Sequence, residues 1–147
     1  FERPSILWPF EHLNPVTLLL ITTMNCPDMT KLDKLKQRLK DSPESIEFKD
    51  VINIIDELYE FTATQFSNGA GDDRFTNSAG ENNGSCKIFS FAQMHGMNEE
   101  ETLNCFGSYY REDVLKHPEN NDHANIRTFM NHGWKHIKFL NKALHPK

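Results

Sequence analysis

Cysteine is scarce in this chain. There are three, Cys26, Cys86 and Cys105, with no C-x-x-C pair. An odd number at wide, irregular spacing argues against a disulfide framework and against a cysteine-based zinc site, and it suits a reducing compartment, the cytoplasm. Long hydrophobic runs are missing too. The apolar run Val16 to Ile21 falls far short of the ~20 residues that span a bilayer, so no membrane span is expected. Positive charge is in deficit, with 16 Lys and Arg against 21 Asp and Glu and a net charge of -5. Nothing global draws such a chain to nucleic acid or to an anionic membrane. No G-x-x-x-x-G-K-S/T loop and no strand-linked G-x-G-x-x-G is present. Asp72, Asp73, Asn77 and Glu81 are oxygen ligands at the wrong spacing for an EF-hand. His132 and His136 stand four apart, but Gly133 lies between them and no H-E-x-x-H motif forms. No metal and no cofactor is expected.

What is present reads as one soluble domain of helices. The 147 residues, 37% apolar and 25% charged, suffice for a single hydrophobic core. Residues 1–28 hold four of the seven prolines and read as an irregular arm. That arm either packs on the domain surface or uses Trp8, Phe10 and Leu18 to Leu20 to dock a partner. From Met29 the pattern turns helical. Thr30 or Asp33 starts a helix with Leu32, Leu35 and Leu39 on one face. Phe48, Val51, Ile52, Ile55, Leu58 and Tyr59 make a second. Phe61 to Phe66 reads as an extended link, and Ser67 to Gly84, with four of the seven glycines, as one long polar loop. A third helix follows from about Ser85 to Met94, ended by Gly96. Asn98 and Glu101 have capping-box spacing for a fourth, from Glu99 to about Leu115, within which Gly107 marks a close contact. Asn121 or Asp122 caps a fifth, ended by Gly133, and Trp134 to Leu144 reads as a last helix or an extended tail, with helix favoured. The expected architecture is an all-α bundle of five or six helices with one long polar loop.

Several blocks also carry a family resemblance. They are Ser42-Pro43-Glu44-Ser45-Ile46-Glu47-Phe48, Ala79 to Lys87, Phe106 to Leu115 with His117-Pro118, Asp122 to Met130, and Gly133-Trp134. From Met29 onward the chain resembles the HopJ type III effector family, and residues 29–147 form the expected HopJ-like domain. The family name comes from a bacterial protein delivered by a plant-pathogen secretion system. The resemblance implies release into a host cell for a true effector, and a host or bacterial protein partner; it supplies no established reaction.

The candidate chemistry is read from the residues. Cys86 stands at the start of the third helix after Gly84-Ser85, where the helix dipole favours thiolate. As a nucleophile it needs a base, His123 or His117, an orienting Asp122 or Asn125, and an oxyanion site at Asn82 or the helix N–H groups. The alternative is a small buried cysteine beside a capped helix start. A second arrangement is a small-anion site: Asn82, Asn83, Ser85 and Lys87 at the helix start, joined by Arg111, His117, His123 and Arg127. Its alternative is a set of ion pairs, with Arg111 and Arg127 held by Glu112, Asp113 or Asp122. A binding or interaction protein with a polar pocket at Asn82–Ser85 is the leading expectation, and a cysteine-dependent hydrolase or transferase the other.

Overall fold

The computed structural model describes residues 29–147. Cys26 and the docking arm around Trp8, Phe10 and Leu18 to Leu20 lie outside the described residues. The chain divides after Lys34. Before that point, Thr30 and Asp33 cap the first helix reciprocally, the Asp33 N–H donating to the Thr30 hydroxyl at 3.1 Å and the Thr30 N–H to the Asp33 carboxylate at 3.2 Å. This helix, α1, is Lys31–Asp41, and it buries Leu35 and Leu39.

The remaining helices are α2 (Phe48–Leu58), α3 (Asn83–Met94), α4 (Glu99–Asn104) and α5 (Ala124–His132), with a π-helical turn at Tyr109–Val114. Among the described residues five short strands accompany them. Strand β1 (Tyr59–Phe61) pairs antiparallel with β5 (Leu144–Pro146), Tyr59 opposite Pro146. Strand β2 (Phe66–Asn68) lies between β3 (Phe75–Asn77) and β4 (Lys138–Phe139), antiparallel to both. The expected all-α bundle is therefore corrected to a mixed fold, helices with two small antiparallel sheets. The long polar loop is β2, a 3-10 turn and β3, and the expected last helix is a 3-10 turn, β4 and β5. Strands of two or three residues are too short to show a two-residue period, so their partners, distant in sequence, define them.

Helix α3 is the centre of the core. Cys86, Ile88, Phe89, Ser90, Phe91 and Ala92 are all buried, which is nearly every direction around the helix. Phe89 packs against Phe106, Phe129, Phe66 and Trp134 with ring centroids 5.0–6.2 Å apart. The fourth predicted helix is shorter than its pattern. Asn98 and Glu101 form the full capping box, but α4 stops at Asn104. Gly107 then turns the chain with φ +62°, and a Cβ there would lie 2.6 Å from the Phe48 nitrogen. The chain resumes as the π-helical turn, with the Leu115 N–H donating to the Tyr110 carbonyl five residues back at 2.9 Å.

Candidate functional site

Two helix starts meet at one cavity. Asn82 precedes α3 and His123 precedes α5, and both are left-handed, with φ 53° and 52°. Among the described residues they alone combine positive φ with a side chain. Glycine takes this conformation freely, whereas other residues hold it at a cost and cluster at functional sites when they do. Asn121 and Asp122, the expected caps of the fifth helix, stand outside it. Neither the Asn82 nor the His123 side chain caps its helix. By helix geometry the first N–H groups of each have no carbonyl partner within the helix. The cavity between them has a volume of about 310 Å³. Its polar side is Asn82, Ser85, His123 and Asn125, and its apolar walls include Phe48, Phe106 and Tyr109.

A buried asparagine network fixes this geometry. The Asn125 carbonyl oxygen Oδ1 accepts from Asn68 Nδ2 at 3.1 Å and from Asn77 Nδ2 at 3.2 Å. Asn77 Oδ1 accepts in turn from Asn125 Nδ2 at 2.9 Å and from Asn82 Nδ2 at 2.6 Å. One network thus joins β2, β3 and the starts of α3 and α5. Asn68, Asn77 and Asn125 are buried, so each hydrogen bond replaces water that cannot reach them. Sequence reading placed Asn82 and Asn125 among the site residues and missed Asn68 and Asn77. A glycine-rich stretch hides two strands, and nothing local marks their asparagines as interior.

His123 is oriented from the π-helical turn. Its Nε2 lies 3.0 Å from Asp113 Oδ2, and its ring sits 5.1 Å from that of Tyr109. The carboxylate beside the ring is Asp113, whereas Asp122 or Asn125 was expected to orient it. Arg127 holds Asp122 instead, donating to Oδ1 at 2.7 Å. That hydrogen bond keeps the Asp122 carboxyl below its ordinary value.

The other candidates stand elsewhere. Cys86 is buried within α3, with its thiol 4.0 Å from the Thr64 carbonyl. Burial pushes that thiol up from its ordinary value, the opposite of thiolate activation. Lys87 pairs with Asp56 at 2.8 Å and lies over the Phe61 ring. Arg111 donates to the carbonyls of Pro43 and Ile46 and lies 3.7 Å from Glu47. His117 is exposed, 3.7 Å from Glu119. The four are absent from the cavity lining together with Arg127, and Asn83 contributes its place in the first turn of α3. The arginines act as ion-pair and carbonyl clamps that tie the Tyr109–Val114 turn to its neighbours. His132 pairs with Asp73 at 2.9 Å. Among the described residues no group of three His, Cys, Asp or Glu is placed to hold a metal ion, and no helix is long and apolar enough to cross a membrane.

Comparison with known proteins gives two matches. The family model described as HopJ type III effector protein matches residues 32–144. The crystal structure of a protein of unknown function, VPA0580, is 49% identical, with a TM-score of 0.75 over 80% of this chain and 95% of that one. No curated protein matches.

Proposed function

We propose, from the premise that the chain belongs to the HopJ type III effector protein family, that it is a binding protein whose cavity takes a small carboxylate or phosphate. The observation that carries this reading is the opening of two helix starts, α3 and α5, into one cavity. Unpartnered first-turn N–H groups carry partial positive charge and point along the helix axis toward an anion. His123 lines the same wall. Phe48, Phe106 and Tyr109 give the ligand's apolar body a surface. The lysine and arginine residues are engaged elsewhere, so selectivity comes from N–H groups and shape.

The test is titration of the full chain with inorganic phosphate, acetate and benzoate, followed by amide NMR and calorimetry. Saturable shifts of the Gly84, Ser85 and Asn125 amides are expected. Shifts that stay linear, or fall elsewhere, overturn the reading. Delivery into a host cell belongs to the family description, and for this chain it is part of the same proposal. A translocation reporter fused to the chain tests it, and a signal independent of the secretion system counts against it.

A further inference from the structure

We infer that the cavity is also a reaction site, in which His123 acts as general base to activate water against small carboxylic esters. The inference rests on the cavity being a ligand site, and it adds chemistry that binding does not require. An ionised carboxylate only accepts hydrogen bonds. Asp113 therefore takes the hydrogen of His123 Nε2 across 3.0 Å, which leaves the lone pair on Nδ1. This is the base-and-orienter arrangement of hydrolytic sites. The π-helical turn carries both groups that meet the His123 ring. Tyr109 and Asp113, four residues apart, share one face, and the imidazole meets the ring of one and the carboxylate of the other.

The other requirements of ester hydrolysis are met on the same walls. The helix-start N–H groups of α3 and α5 are donors for a developing oxyanion. Phe48 and Phe106 receive the apolar part of an ester. Cys86 is absent from the lining, and the nucleophile of the inferred reaction is water. Water oxygen bonds to the carbonyl carbon while its proton passes to Nδ1. The tetrahedral oxyanion then collapses and the carbon–oxygen bond to the alcohol breaks. The leaving oxygen takes the proton back from the imidazolium. Acid and alcohol are the products, nothing is oxidised, and no co-reactant is needed. The product acid is a small carboxylate, the class of anion proposed above as ligand.

The experiment is hydrolysis of p-nitrophenyl acetate and p-nitrophenyl benzoate by the full chain. Saturable turnover is expected. His123→Asn preserves the left-handed backbone, which asparagine tolerates, and is expected to lose about 100-fold in kcat, the scale of general-base catalysis. Asp113 is a positioning residue, so Asp113→Asn is expected to lower kcat with KM unchanged. His145→Gln is expected to keep the parental rate. Rates that never saturate, or His123→Asn as fast as the parent, overturn the inference. A burst of p-nitrophenolate ahead of steady turnover, the mark of an acyl-enzyme, overturns water as the nucleophile. Benzoate shifts at Gly84, Ser85 and Asn125 without ester turnover sink this inference alone. Absence of both sinks the binding reading with it.

Discussion

Residue by residue, burial decides which groups can do chemistry. Cys86 and Cys105 are both buried, at 1% and 0% exposure. Burial pushes the Cys105 thiol up to about 12 and moves Cys86 in the same direction. Native protein is therefore expected to react with iodoacetamide at Cys86 far more slowly than urea-unfolded protein, measured by mass spectrometry of the Cys86 peptide. Equal rates would restore the nucleophile. His95 is a second case. Its Nε2 stands 2.7 Å from the Tyr59 hydroxyl, and burial, then the nearby Lys36 charge, hold the imidazole below its ordinary 6.5. The unfolded chain then binds the proton more readily than the folded one. His95 stabilises the fold fully above its unfolded value of about 6.5 and loses that contribution as pH falls from there through its lower folded value. Urea midpoints at pH 7.5 and 5.5 are expected to drop less in His95→Gln than in the parent. An identical drop would remove His95 from the account.

At the scale of elements, local signals were legible and partner-made elements were not. The capping box at Asn98 and Glu101, the helical stripe of Phe48 to Leu58 and the stop at Gly133 are encoded within a few residues, and each stands in the structure. The helix expected from Glu99 to Leu115 fails at Gly107, because its φ of +62° and its contact with the backbone of Glu47 and Phe48 interrupt it. The apolar spacing of Leu103, Phe106 and Tyr110 continued across the break and concealed it. Asn82, Ser85, His123 and Asn125, expected from motif and residue type, line one cavity. Asp113 and Tyr109 were not named as site residues because they stand well before His123 in sequence and only the fold brings them to its ring. Gly107→Ala tests how much hangs on that break. The added Cβ meets backbone at 2.6 Å and must hold a left-handed φ. The loss should exceed ~1 kcal/mol, the scale of such strain. Equilibrium urea unfolding measures it, and a change within a few tenths of a kcal/mol would show that the turn relaxes freely.

Across the whole molecule, the last ten residues close both sheets. Strand β4 sets Phe139 opposite Phe66, and β5 sets Leu144 opposite Phe61. Leu144 is fully buried and Ala143 nearly so. The Thr62 N–H donates to the Ala143 carbonyl at 2.8 Å, and the Leu140 N–H to the Gln65 carbonyl at 2.9 Å. Residues near the middle of the chain thus wait for residues at its end, a long-range closure that costs chain entropy and slows folding. A helical bundle would have lost little with a frayed last segment. This mixed fold is expected to lose its cooperativity. Leu144→Ala should cost about 2–5 kcal/mol, the range for a buried leucine, whereas Leu115→Ala, at a site 47% exposed, should stay within about 0.5 kcal/mol. Removal of residues 138–147 should leave no sharp transition in calorimetry and should broaden the amide spectrum, including Gly84 and Asn125. A truncated chain that melts sharply at the parental temperature would mean that the helices carry the fold alone, and the two sheets would then be accessories to the cavity.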